Sequence, residues 1–126
     1  AGATYIIHGP LDGYSDGGLL EGAATVIRGD ASDELGASSA FADINGDGLD
    51  DPVLSGSSYD DYSYLYYSPL PSGILVAPDA NAHFAQGGVR SVGDLNNDGR
   101  ADLIFSAGGT SSGTNPAYIF YGQPTE

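Results

Sequence analysis

Two nine-residue runs carry the side chains best suited to chemistry in this chain, Asp43-Ile-Asn-Gly-Asp-Gly-Leu-Asp-Asp51 and Asp94-Leu-Asn-Asn-Asp-Gly-Arg-Ala-Asp102. In the first, oxygen-bearing side chains fall at loop positions 1, 3, 5 and 9 (Asp43, Asn45, Asp47, Asp51), and the Leu49 carbonyl is available at position 7. The second repeats this with Asp94, Asn96, Asp98, the Arg100 carbonyl and Asp102. Gly48 and Gly99 stand where the loop must turn sharply, a place that a Cβ would obstruct. The chemistry of such a set is ligation of a hard cation. Ca²⁺ takes six to eight oxygens at about 2.3–2.6 Å, whereas Mg²⁺ usually keeps several waters, so a set this rich in protein oxygens points to two Ca²⁺ sites. Asp, Asn and Gly also make ordinary metal-free turns. Two copies that share every ligand position favour the metal. Position 12 is Leu54 in one loop and Phe105 in the other, so neither is an EF-hand, and position 9 is expected to close the ring. The Arg100 side chain is expected to point outward.

The loops are embedded in a repeat. Residues 35–57 align without gaps on 86–108, sharing Gly36/Gly87, Asp43/Asp94, Asn45/Asn96, Asp47/Asp98, Gly48/Gly99, Asp51/Asp102 and Ser55/Ser106, at an offset of 51 residues between Asp43 and Asp94. A second element occurs three times, as Thr4–Leu11, Ser63–Leu70 and Ala117–Gln123, each a β-branched and aromatic run ended by Gly or Ser. Ala23–Arg28 and Ile74–Ala77 read as a further strand after the first two copies. The order is therefore strand 1 (about 37–43 and 88–94), metal loop, strand 2 (about 52–56 and 103–107), strand 3 and strand 4. Four short antiparallel strands at a period near 50 predict an all-β fold of four-stranded propeller-type blades, with a sandwich as the structural alternative.

The motif D-x-N-x-D-G-x-x-D, preceded by a Gly and followed by a short apolar strand, resembles the FG-GAP repeat of the integrin α-subunit propeller and of many bacterial extracellular proteins. The resemblance covers about two blades. It implies calcium held in the strand 1 to strand 2 hairpin, by Asp43, Asn45, Asp47, Leu49 and Asp51 and by Asp94, Asn96, Asp98, Arg100 and Asp102. The flanks depart from the family: its Phe-Gly is Leu35-Gly36 and Gln86-Gly87, and its Gly-Ala-Pro is Ser55-Gly56-Ser57 and Ser106-Ala107-Gly108. On this frame the single module 1–126 divides into a half blade (1–34, strands 3 and 4), a complete blade with the first loop (35–82) and a partial blade with the second (83–126). A propeller of this family has about seven blades, so a closed ring from this chain alone is not expected. About two blades plus extra strands, incomplete at both termini, would leave open sheet edges. Copies of the chain, or the rest of a larger propeller, would complete them.

Composition narrows the function. Seventeen acids oppose three arginines and no lysine, a formal net charge of −14, which disfavours nucleic acid and anionic membrane. No cysteine is present, so disulfides and thiolate metal sites are excluded, and no apolar run of about 18 residues would insert in a bilayer. The start at Ala1 without Met fits a processed or excised product, and the expected location is extracellular or at the cell surface. His8 and His83 lie far apart without a nucleophile motif, and no carboxylate pair stands out as acid and base, so enzymatic activity is not expected. Tyr62, Tyr64 and Tyr66 alternate and share one face of a strand, suited to outer-strand packing, a neighbouring chain or a sugar ring. Arg28-Gly29-Asp30 spells a tripeptide recognised by some integrins, but it falls where a strand should end in a turn, and ordinary turn chemistry is the better explanation. These residues predict a calcium-binding, non-enzymatic extracellular structural or adhesion module that assembles, for example into a fibre, through incomplete blades. The alternatives are a fragment of a glycan-binding propeller lectin and an accessory domain of a larger secreted enzyme.

Overall fold

A computed structural model describes residues 2–9, 24–30, 34–56, 62–85, 88–106 and 116–125. The described residues form β1 (Ala3–Ile6), β2 (Thr25–Arg28), β3 (Ser38–Ala42), β4 (Asp51–Ser55), β5 (Ser63–Leu65), β6 (Gly73–Val76), β7 (Ala82–Phe84), β8 (Val89–Gly93), β9 (Asp102–Ser106) and β10 (Ala117–Phe120). A 3-10 turn at Ala77–Asp79 joins β6 to β7. The expected all-β architecture is what the chain adopts, and the expected first and second strands of both repeats are β3, β4, β8 and β9.

The strands form three sheets: sheet A in the order β1-β2-β6, sheet B as β3-β4-β5-β7, and sheet C as β10-β9-β8. Sheets B and C are wholly antiparallel, whereas β2 and β6 pair in parallel. Alternation along each strand decides what is buried. In β4, Val53 is packed toward sheet C and its neighbour Leu54 toward sheet A, so this central strand is apolar on both faces. One core joins Ala40, Ile44, Val53 and Leu65 to Val89, Leu103 and Phe105 of sheet C. The other joins Leu54 and Tyr66 to Ile27 and Leu35. Sheet B is thus the middle layer of a three-sheet stack. Phe84 closes one side, its ring 4.7 Å from Phe105 and 4.9 Å edge-on from Phe120.

The fourth strand of the first repeat is not where the sequence placed it. Ile74–Ala77 was the expected strand 4, but Gly73–Val76 joins sheet A beside β2, and Ala82–Phe84 takes the fourth place in sheet B. The expected boundary between residues 82 and 83 therefore falls inside β7. The reason lies in the connection. Pro69 and Pro71 have no N–H to donate, so the chain cannot keep pairing and leaves sheet B after β5. It is then received by sheet A, where the Thr25 hydroxyl donates to the Pro71 carbonyl at 2.8 Å and Gly73 N–H donates to Ala24 O at 3.0 Å. The turn that follows is held by its own side chains: Asp79 Oδ2 accepts from Val76 N–H at 2.8 Å, and Asn81 Oδ1 accepts from Tyr67 N–H at 2.8 Å. This reverses the chain and lays Ala82–Phe84 along β5, Leu65 opposite Ala82.

A second departure is in β8. The two repeats align without a gap in sequence, yet the β8–β9 register shifts between Ser91 and Gly93, a bulge absent from β3–β4. It sets Arg90 opposite Ile104, where the first repeat has Ala40 opposite Val53. Arg90 uses that position to donate from Nη1 to Ser38 Oγ at 2.9 Å, and Ser38 Oγ donates to Val89 O at 3.0 Å, linking the first strands of the two repeats.

Of the three alternating tyrosines, Tyr62 is exposed, Tyr64 half-buried and Tyr66 buried. Tyr66 is a core residue and is not part of an exposed face. Its hydroxyl donates to Val76 O at 3.2 Å, and burial, reinforced by the Asp79 carboxylate and by Tyr64, pushes its phenol up to about 12. The unfolded chain releases this proton near pH 10 and the folded one only near 12, so stability falls as pH rises across that window. Chemical denaturation at pH 9 and pH 11 should show this loss, and Tyr66→Phe should reduce it by about 1 kcal/mol. An unchanged pH dependence in the variant would remove Tyr66 as its cause.

Candidate metal centres

The two loops fold alike because each opening aspartate organises the backbone that follows it. Asp43 Oδ1 accepts from the N–H groups of Gly46 (2.7 Å) and Asp47 (3.0 Å), and its Oδ2 accepts from Gly48 (2.8 Å). In the second loop Asp94 accepts from Asp98 (3.0 Å) and Gly99 (2.8 Å). The aspartate at position 5 repeats the device one step on: Asp47 Oδ1 accepts from Leu49 N–H and Asp98 Oδ1 from Arg100 N–H, both at 2.9 Å. Between them, Asn45 Nδ2 donates to Asp47 Oδ2 at 3.2 Å and Asn96 Nδ2 to Asp98 Oδ2 at 3.0 Å. These local bonds turn the chain without a strand ladder. The turn passes through the left-handed region at Gly48 (φ +90°) and Gly99 (φ +85°), and also at position 4, where Gly46 is matched by Asn97 at φ +59°.

Position 9 does something the sequence reading missed. Asp51 and Asp102 are fully buried, and each carboxylate spans two strands. Asp51 Oδ2 accepts from Ile44 N–H (3.0 Å) and its Oδ1 from Ser68 N–H (2.8 Å), just after β5. Asp102 accepts from Leu95 N–H (2.6 Å) and from Gly122 N–H (3.0 Å), just after β10. Each thus ties the tip of the strand 1–2 hairpin to the end of strand 3. The signal was present, because Ser68 and Gly122 end the two matching Tyr-rich runs. Burial pushes the Asp51 carboxyl above the usual carboxylate range, and the nearby Asp47 carboxylate pushes the same way, against the N–H groups of Ser68 and Ile44.

Arg100 corrects another expectation. Its side chain does not point outward: Nη2 lies 2.8 Å from Asp98 Oδ2 of its own loop, and Nε donates to Gly122 O at 3.0 Å. Its aliphatic part lies over Gly46 of the other loop, where a Cβ would stand 3.0 Å from Arg100 Cγ. The backbone N–H of Arg100 and the guanidinium hold the Asp98 carboxyl below its usual range. Ala101 N–H donates to Asp43 O at 2.8 Å, and Gly122 is wedged so closely that a Cβ on it would overlap the carbonyl oxygens of Ala101 and Ile44. The two loops are therefore packed against each other.

The donor set of both loops is oxygen throughout, which fits Ca²⁺ among common cations. Among the described residues no three acidic or histidine side chains are gathered in one metal-type cluster, since the loop carboxylates are aimed at backbone N–H groups. Carboxylate oxygens carry more lone pairs than these bonds use, and in the first loop Asp47 and Asp51 repel one another. A cation would relieve that repulsion. The second loop already has a positive charge at Asp98, supplied by Arg100.

Of two clefts among the described residues, one adjoins the first loop and the other is lined by no loop residue. One, of about 280 Å³, is lined by Ile6 and His8, by Leu49 and Asp50 of the first loop, and by Pro69 and Leu70. The other, of about 340 Å³, is lined by Asp30, Tyr62, Tyr64, Ala77, Pro78 and His83. The two histidines line different clefts. Arg28 ends β2 and is exposed, and Asp30 stands beside the tyrosines. Among the described residues no helix is long and apolar enough to cross a membrane. No protein-family model matches the chain, and no curated protein matches it.

Two substitutions test the buried links. Asp51→Ala strands the N–H groups of Ile44 and Ser68 and should cost about 2–4 kcal/mol in chemical denaturation. Gly122→Ala must push apart the two loops and should cost at least about 2 kcal/mol. Values within about 0.5 kcal/mol of the parent for both would show that these contacts do not hold the hairpins.

Proposed function

We propose that this chain is a calcium-stabilised, non-enzymatic extracellular structural or adhesion module built from propeller-type blades of the FG-GAP kind, and that it self-associates. The observation that carries the reading is the pair of matching loops, each ordered by its first aspartate and anchored by a buried ninth, with oxygen donors at the same positions. Calcium here is structural. An ion held by Asp43, Asn45, Asp47, Leu49 O and Asp51 would offset the repulsion between Asp47 and Asp51 and ease the self-repulsion of a chain of net charge −14. The corresponding ligands of the second loop are Asp94, Asn96, Asp98, Arg100 O and Asp102. The first loop is the tighter site, because Leu49 stands where the second loop carries the competing guanidinium of Arg100. Without a position-12 Glu, both affinities belong to the weak extracellular class, about 10⁻⁴–10⁻³ M.

A second reading, saccharide binding, is favoured by the cleft at Asp30. There the Tyr62 ring lies 6.4 Å from that of Tyr64 and 5.9 Å from that of His83, an aromatic wall beside a carboxylate. Tyr66 takes no part in it. A glycan array should give hits lost in Tyr62→Ala if this reading holds, and an array without hits rejects it.

With calcium at about ten times the dissociation constant, each site should add about 1.4 kcal/mol, raising the melting temperature by several degrees. Asp43→Ala should abolish the first loop's share of that calcium-dependent gain. Light scattering should show assemblies in calcium that disperse in a chelator. A melting temperature indifferent to calcium rejects the metal role, and a monomer in both conditions rejects self-association.

A further inference from the structure

Residues that are buried between sheets B and C in the first repeat have counterparts in the second that are exposed or only partly buried. Ile44, Val53 and Leu65 are 0%, 0% and 1% exposed where they pack against sheet C. Their counterparts are Leu95, Ile104 and Ile119. Leu95 is 53% and Ile119 52% exposed, and Ile104 is partly buried. Alternation explains this: β9 turns Leu103 and Phe105 toward sheet B and Ile104 to the opposite face, where Ile119 stands beside it in register. At the other end of the stack, Ile27 and Leu75 of sheet A pack toward sheet B. That leaves Val26, with Tyr5 and Ile74 opposite it in register, on the far face, and Val76 two residues beyond Ile74. Val26 itself is buried, at 5% exposed, and Tyr5 is partly buried, whereas Ile74 is 56% and Val76 42% exposed. Each outer face of the three-sheet stack therefore presents aliphatic residues of the kind that its inner contacts bury.

We propose that the face of sheet C formed by Leu95, Ile104 and Ile119 docks on the face of sheet A formed by Tyr5, Ile74 and Val76 of a second copy of this chain. The contact continues by one step the stacking that already joins A to B and B to C. It rests on the self-association reading above, and replaces edge-strand addition with face-to-face packing as its means. The two faces differ, so the contact is heterologous and repeats from copy to copy into a filament or a ring.

The test uses two double variants of the whole chain, Leu95→Asp with Ile119→Asp, and Ile74→Asp with Val76→Asp, followed by sedimentation velocity in calcium. Wild type should form a ladder of oligomers. Each variant alone should be monomeric, its association weakened about thirtyfold or more. Mixed, the two should form one-to-one heterodimers and nothing larger, because each keeps the face that the other has lost. Heterodimer formation also reports that both variants fold. Milder Ile119→Thr and Ile74→Thr chains should each weaken association about tenfold. Variants that assemble like wild type would overturn this contact and leave self-association standing. A mixture that stays monomeric, while the milder chains assemble normally, would also overturn it. A monomeric wild type would overturn both readings.

Discussion

The buried carboxylates of Asp51 and Asp102 are the constraint on which the arrangement depends. A carboxylate removed from water costs several kcal/mol unless its oxygens are satisfied. Each of these is satisfied by one N–H from the hairpin tip and one from the end of the third strand. The hairpin loop cannot swing away, nor the third strand slide, without exposing a buried charge to unpaired surroundings. That is why two loops made of Asp, Asn and Gly, residues that elsewhere make pliable turns, are held in one geometry. It also explains why Gly122 must be a glycine: its N–H serves Asp102, its carbonyl serves Arg100, and its α-carbon fits between two carbonyl oxygens.

From this constraint the stack follows. With the hairpins fixed, Ala101 N–H reaches Asp43 O and the Arg100 stem lies on Gly46, so the second repeat is docked on the first through backbone as well as side chains. Ile44 is covered by that docking, which turns a loop residue into a core residue. Leu95, its counterpart, is uncovered. Nothing intrinsic to the two side chains separates them; position in the stack does.

The fold was legible in the sequence where local chemistry and periodicity agreed. The nine-residue loops, the gap-free alignment around them and the alternating apolar runs located β3, β4, β8 and β9. What was not legible depended on partners distant in the chain. The parallel pairing of β6 with β2 is set by Thr25 receiving Pro71, and the fourth strand of sheet B by Asp79 and Asn81 capping the turn before it. Neither leaves a periodic signal. Tyr66 shared its alternation with Tyr62 and Tyr64, but burial is decided by the sheet that packs over the strand, which alternation cannot report. The sequence makes Arg100 a solvent-facing cation because it does not show a second loop beside it.

We propose that the two loops are calcium sites of unequal strength. Isothermal titration calorimetry of the intact chain with Ca²⁺ measures this most directly. The account predicts two ions per chain, the first loop saturating before the second, with the order erased when Leu49→Arg gives the first loop the same internal cation. Absence of a binding isotherm up to about 10 mM calcium, above the weak extracellular range, would contradict it.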